Sequence, residues 1–260
     1  MSGMRVLDVG CGYGWHCKYA AGRGADYVLG FDPSERMLAE ARRRSGGGRI
    51  EYLRCAVEDF AWPEADFDLV VPNLALHYVE DLDAVYAGVW RALKPGGAFV
   101  MNIEHPVFTS GVNEDWCYDG SGSILHWPVD NYFYPGARRT LFVGCEVVKQ
   151  HHTLSQILGG LLRAGFALTA VEEARPSEDA PRGHPRHGRR DAPADDAAGQ
   201  GGKGVSGRGE PADRRTRSVK GKIRMKIAVI TGASSGMGLE FAKGIDAEER
   251  LDEIWLIARR

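Results

Sequence analysis

The stretch "VLDVGCGYG" sets three glycines, Gly10, Gly12 and Gly14, at the end of a short apolar run. Glycine lets a chain turn tightly and lets its backbone approach a ligand closely. A dinucleotide fingerprint would read G-x-G-x-x-G, with a helix opening on a pyrophosphate. This turn reads G-x-G-x-G with Asp8 ahead of it, and a carboxylate there suits a positively charged ligand better than a pyrophosphate. Asp32 closes the next apolar run, about 20 residues on, where a carboxylate grips ribose hydroxyls. Three histidines, His77, His105 and His151, fall near strand ends or in the long insertion, where ligands bind in sheets of this kind. Each is a candidate for taking a proton from a nucleophile. Each also has a plainer reading. His77 in "LALHYV" reads more simply as a packed residue at a helix start, and His105, between Glu104 and a proline, equally as a turn residue. His151 and His152 have no cysteine or carboxylate at ligand spacing, so no metal is expected. Cys11 in the turn reads as a small filler rather than a nucleophile.

The elements that must position these residues alternate. "RVLDVG" reads as a buried parallel strand and "GWHCKYAAGRG" as a helix stopped by glycine. "DYVLGFD" is a second strand, and "PSERMLAEARRR" a helix with Pro-Ser at its start and arginines near its end. "IEYLRCAV" and "FDLVVPN" are further strands, "DLDAVYAGVWRAL" a helix stopped by "KPGG", and "AFVMNIE" a fifth strand. This order predicts an α/β fold, a Rossmann-like, doubly wound and mostly parallel sheet with helices on both faces. Residues 104–150 lose the rhythm and are rich in aromatics, among them Trp116, Tyr118, Trp127, Tyr132, Phe133, Tyr134 and Phe142. An irregular stretch of that length is usually functional, so it is expected to be a lid or substrate-binding insertion, with a mini-core as the plainer alternative. A helix "TLSQILGGLLRAGF" and a strand "ALTAVEE" follow.

The net charge of −2 at pH 7 across 260 residues suggests neither nucleic acid nor a membrane surface as partner. No apolar run approaches the ~18–20 residues of a membrane span, and with strand-like residues from Arg5 no signal peptide is expected. Five scattered cysteines without a CxxC pair fit reduced thiols in the cytoplasm. Oligomeric state stays open. Residues 176–224 are almost entirely Arg, Gly, Ala, Pro, Asp, Ser and Lys and are expected to be a disordered linker. Such text also arises when GC-rich coding DNA is read in a shifted frame.

The combined motifs "VLDVGCGYG", "FDPS", "CAVEDF", "FDLVVPNLALHYVEDL" and "LKPGGAFVMNIEHPVF" resemble a class I S-adenosylmethionine-dependent methyltransferase of the small-molecule branch often labelled type 11, over about residues 4–175. The resemblance implies methyl transfer from S-adenosylmethionine to a small-molecule acceptor. It implies that Asp8, Gly10, Cys11, Gly12 and Gly14 hold the methionine end, that Asp32 binds the ribose, and that Pro33 to Met37 line the adenine. Val57 and Glu58 would meet the adenine edge, and Asn73 would face the sulfonium. Many relatives carry Asp-Ala where this chain has Ala56-Val57. They also have a helical segment before the first strand and a seventh strand paired with the sixth, which residues after Pro176 are not expected to supply.

A second glycine turn, "KIAVITGASSGMG", resembles the start of a short-chain dehydrogenase/reductase through Thr231, Gly232, Gly236 and Gly238, with Arg259 implying NADP. The catalytic residues of that family would lie beyond this segment, and one βαβ unit cannot bury both strand faces. The sequence therefore divides into a methyltransferase domain over 1–175, a linker over 176–224 and a reductase-like fragment over 225–260, with Met225 reading as the start of a separate protein. An NADP-dependent reductase and an inactive cofactor-binding remnant are the alternative functions. "EIWLIARR" is expected to pair beside "ALTAVEE" if anything fills the seventh-strand position.

Overall fold

The computed structural model describes residues 1–111, 116–142, 145–173 and 226–231. The chain divides into two units, Met1–Ala180 with Ile223–Arg260, and Pro181–Lys222, and every described residue falls in the first.

The first half is a regular alternation of β1 (Arg5–Val9), α1 (Trp15–Gly22), β2 (Tyr27–Asp32), α2 (Glu35–Ser45), β3 (Ile50–Arg54), β4 (Phe67–Pro72), α3 (Leu82–Ala92) and β5 (Leu93–Ile103), with a 3-10 turn at Leu76–Tyr78. A short helix α4 (Pro106–Ser110) then leads into β6 (Cys117–Tyr118), β7 (Ile124–His126), β8 (Gly136–Phe142) and β9 (Cys145–His151). Helix α5 (Leu154–Arg163), β10 (Ala167–Glu173) and β11 (Lys226–Thr231) complete the described elements.

Seven strands form one sheet in the order β3-β2-β1-β4-β5-β11-β10, and every neighbouring pair is parallel. β1 and β4 sit near its centre and are buried along almost their whole length, as their near-continuous apolar sequences require. Side chains alternate between the faces. Val6, Val28, Leu69 and Val71 pack with Cys17, Ala20 and Leu38 from α1 and α2. Leu7, Val9, Val70, Phe99 and Met101 pack on the other face with Val85, Tyr86, Ile157 and Leu161 from α3 and α5. Three of the longer helices start where a capping side chain stops the orphan N–H groups from going unpaired, whereas α1 starts at Gly14 without one. Ser34 caps α2, Asp81 caps α3, and Thr153 with Gln156 forms a reciprocal capping box on α5.

The doubly wound parallel sheet is the expected architecture. Two expectations need correction. The 104–150 insertion is not irregular throughout: β6 pairs with β7, and β8 pairs with β9 in an antiparallel hairpin running from Gly136↔His151 to Phe142↔Cys145. No apolar alternation in "RRTLF" and "EVVKQ" announces that hairpin, because its buried positions are the polar Thr140, Lys149 and His151 while Leu141 and Val148 are exposed. Beyond Pro176, a strand does take the place beside β10. β11 lies between β5 and β10, with Val229 opposite Met101 on one side and Val171 on the other. Residues 253–259, the expected partner of β10, lie outside the described residues, as do the 176–224 linker and the glycine turn from Gly232 onward.

Candidate active site

The loop between β1 and α1 has Gly10, Gly12 and Gly14 at φ +67°, +52° and +72°. These are left-handed conformations that cost a side-chain-bearing residue energy. Gly10 is also closely approached: a Cβ there would lie 2.5 Å from the Cβ of Ala75, in the loop after β4. The loop is pinned to the tip of β2. Cys11 N–H donates to the Phe31 carbonyl at 2.9 Å, and Gly12 N–H donates to Asp32 Oδ2 at 3.0 Å. Asp32 Oδ1 accepts from Ser34 N–H at 2.8 Å. Each carboxylate oxygen thus uses one acceptor position and keeps another for an incoming hydroxyl.

Asp8 is 1 % exposed on β1. Its Oδ2 accepts from the Cys17 thiol at 3.2 Å, and its Oδ1 has no hydrogen-bond partner. His16 Nδ1 lies 3.9 Å from Oδ2. Burial pushes the Asp8 carboxyl up to about 7 and the His16 imidazole down to about 4. A buried, unsatisfied carboxylate oxygen is costly until a donor or cation arrives. Beside a glycine loop, it fits a ligand with an ammonium or sulfonium group.

The remaining expected cofactor residues stand along the same sheet edge. Exposed Pro33 and half-buried Met37 open α2, where Ser34 Oγ accepts from Met37 N–H at 3.3 Å. Buried Val57 and exposed Glu58 follow β3, whose end is tied to β2 by Cys55 N–H donating to the Asp32 carbonyl at 3.2 Å. Asn73 continues β4 and bridges to Asn102 on β5; Asn102 Nδ2 donates to Asn73 Oδ1 at 3.0 Å. Leu74 has φ +53°, a strained conformation for a leucine, and is held there by its N–H donating to the Asn102 carbonyl at 2.8 Å.

The three histidines separate. His151 is fully buried. Its Nδ1 shares a hydrogen bond with Thr109 Oγ1 and its Nε2 with the Tyr132 carbonyl, both at 2.8 Å. With both nitrogens engaged, it braces the insertion in this arrangement. His105 is likewise engaged twice: Nδ1 caps α4 by accepting from Val107 N–H at 3.1 Å, so Nε2–H faces Glu173 Oε1 at 2.7 Å. That contact spans the end of β11, since Thr231 pairs with both Ile103 and Glu173. His77, in the 3-10 turn after β4, has a buried Nδ1 without a partner, and its Nε2 lies 3.8 Å from Glu104 Oε1. Burial, with the charge of Lys149, lowers it to about 3, so it is a neutral imidazole.

Sequence reasoning missed Lys149 and Asn102. Lys149 lies in the aromatic insertion with no motif to mark it, yet it is buried with its ammonium donating to both Glu104 oxygens at 2.9 and 2.8 Å. Asn102 could have been found from its place near the end of the fifth strand. Part of the aromatic run is a mini-core. Trp127 packs edge-on against Phe108 and Trp116, and its indole N–H donates to the Val107 carbonyl at 3.0 Å. Phe133 and Tyr134 remain exposed. Among the described residues, no group of His, Cys, Asp or Glu could hold a metal ion, and no helix is long and apolar enough to cross a membrane.

Residues 7–101 match the family model of a methyltransferase domain. A solved structure from Listeria monocytogenes, assigned as an S-adenosylmethionine-dependent methyltransferase, is 44 % identical with a TM-score of 0.61, covering 64 % of this chain and 78 % of that one. An S-adenosylmethionine-dependent methyltransferase from Mesorhizobium loti is 43 % identical with a TM-score of 0.59, covering 64 % of this chain and 75 % of that one. A ubiquinone biosynthesis O-methyltransferase from Sinorhizobium medicae is 36 % identical over 106 residues, 40 % of this chain and 42 % of that protein. With a parallel doubly wound sheet, a cation-ready glycine loop and relatives of this similarity, the chain belongs to the class I S-adenosylmethionine-dependent methyltransferases.

Proposed function

We propose that the strand-tip residues from Asp8 to Gly14, from Asp32 to Met37, Val57, Glu58 and Asn73 hold S-adenosylmethionine, and that its methyl passes to a small-molecule acceptor beneath the 104–150 insertion. The observation that carries this assignment is the unpartnered, buried Asp8 Oδ1 beside the left-handed glycine loop. The cofactor, when bound, supplies a methyl group already activated on a positively charged sulfur. Asp8 meets the cationic methionine end, and Asp32 holds the loop closed while offering acceptor positions to ribose hydroxyls. Met37 and Val57 give an apolar slot for the adenine, without the carboxylate that many relatives place at Ala56-Val57. Asn73, fixed by Asn102, limits the approach to the reacting centre. The protein's main contribution is placement, because holding a nucleophile in line and close to the methyl removes much of the barrier.

The O-methyltransferase among the relatives supports an acceptor that is methylated on oxygen. The five free cysteines, three of them wholly or partly exposed or half-buried, support a reducing compartment, the cytoplasm. Calorimetry with S-adenosylhomocysteine and with NADP tests the assignment. Binding of the first and not the second is expected, with turnover on a panel of hydroxyl and amine acceptors. Binding of NADP alone would overturn it in favour of the reductase reading.

A further inference from the structure

Glu104 directly follows Ile103, the last residue of β5, at the strand tips where Asn73, His77 and Asn102 converge. Two nitrogens stand behind its carboxylate. Lys149 Nζ donates to both oxygens, and His77 Nε2 lies 3.8 Å from Oε1. The side chains of Lys149 and His77 are 5 % and 4 % exposed, whereas that of Glu104 is 23 % exposed. The carboxylate is therefore the open face of a buried His77–Glu104–Lys149 cluster. A carboxylate has about four acceptor positions, and the two lysine bonds leave two for another donor. Of the other candidate histidines, His105 and His151 have both nitrogens hydrogen-bonded, and His77 is a buried neutral imidazole behind the carboxylate.

We propose that Glu104 is the catalytic carboxylate that contacts the methyl acceptor, and that the acceptor presents a neutral N–H or O–H to it. This rests on the methyl-transfer reading above and names its substrate class. The acceptor's N–H or O–H donates to Glu104, which turns the lone pair of that atom toward the methyl. As the lone pair forms the new bond to the methyl carbon, the carbon–sulfur bond breaks and its electron pair stays on sulfur, leaving a neutral thioether. The acceptor's proton passes to Glu104 and from there to water. A carboxylate acceptor has no proton to offer and would set like charge against Glu104.

Ligand-observed nuclear magnetic resonance on the full chain saturated with S-adenosylhomocysteine tests this without turnover, using phenol, aniline and benzoate as probes. Phenol and aniline are expected to bind and benzoate is not. E104Q is expected to weaken phenol at least about tenfold, the loss of a hydrogen bond to a charged partner, and to admit benzoate. Because E104Q leaves Lys149 with a weaker partner, the double variant E104Q/K149M removes both charges together and should show the same loss of phenol. Calorimetric affinity for S-adenosylhomocysteine should be unchanged in both variants. Equal binding of benzoate and phenol to the wild type, unchanged phenol affinity in both variants, or no binding of phenol and aniline would each overturn the proposal while leaving the cofactor assignment standing. Failure of S-adenosylhomocysteine itself to bind would overturn both.

Discussion

Asp8 predicts a proton-linked cofactor equilibrium. Its carboxyl is buried on β1, accepts from Cys17 and has one oxygen with no partner, and desolvation raises it to about 7. A bound ammonium or sulfonium would favour the ionised form and return the group to the ordinary range near about 4. Binding then expels the proton that Asp8 carried. From those two values, about 0.9 proton should leave at pH 6, about 0.5 at pH 7 and about 0.1 at pH 8. The same linkage makes affinity for S-adenosylhomocysteine rise about tenfold from pH 6 to pH 8, equivalent to about 1.4 kcal/mol. Calorimetry at each pH, in two buffers of different ionisation enthalpy, reads the protons directly. Asp8→Asn holds a similar shape without the titration, so subtracting its values removes any contribution from the ligand's own amino group. A binding heat that does not depend on buffer at pH 6, or an Asn variant with the wild-type pH profile, would refute the assignment of Asp8 to the cationic end of the cofactor.

Asp32→Ala removes the acceptor for Gly12 and Ser34 together with that for the ribose, and should cost on the order of 2–4 kcal/mol of cofactor affinity by calorimetry. Gly10→Ala adds left-handed strain of about 1–2 kcal/mol and a methyl overlapping Ala75 worth about 1–3 kcal/mol. A melting temperature within a degree of wild type would contradict the tight meeting of those loops. His16 and His77, lowered to about 4 and about 3 by burial, stay neutral in the fold while the unfolded chain protonates below about 6.5, so each withdraws about 1.4 kcal/mol per pH unit on acidification. Asp8, raised to about 7, gives the opposite slope over about pH 4–7. These three groups together should contribute a loss of about 1.4 kcal/mol per unit between pH 6.5 and 4, to which His151, also lowered by burial, adds, and His77→Asn should reduce the slope in denaturant titrations. Val229→Pro deletes an N–H from a strand paired on both sides and should destabilise by about 1–3 kcal/mol, whereas an unchanged melting curve would remove β11 from the sheet.

How far each part of this site could be foreseen depends on whether its cause is local in the chain. The glycine loop and Asp32 were legible because strand, turn and carboxylate follow one another within one βαβ unit, and the backbone geometry at Gly10, Gly12 and Gly14 is set by residue type. The start of α2 at Ser34 was legible for the same reason. Asp8 could be seen as a carboxylate facing a cation, but its unpartnered oxygen depends on what packs around it, on α1 and across the sheet. The acceptor side is assembled from distant segments, so its roles were not readable. His77, Glu104 and Lys149 come from the loop after β4, the end of β5 and the β8–β9 hairpin, and only the fold brings them within reach of one another. The same nonlocality hid the surroundings of His151, since nothing in "KQHHTL" reveals Thr109 and the Tyr132 carbonyl closing on both of its nitrogens. It also hid the partner of β10. "KIAVIT" belongs by its sequence to a second glycine turn, yet a strand paired in parallel with a neighbour on each side asks mainly for strand-forming residues and a free backbone ladder, and the sequence of that segment supplies both. Strand identity in a parallel sheet is thus a weak constraint, whereas the residues that follow each strand tip are a strong one. The chemistry of this protein is accordingly written in the few positions after β1, β2, β4 and β5.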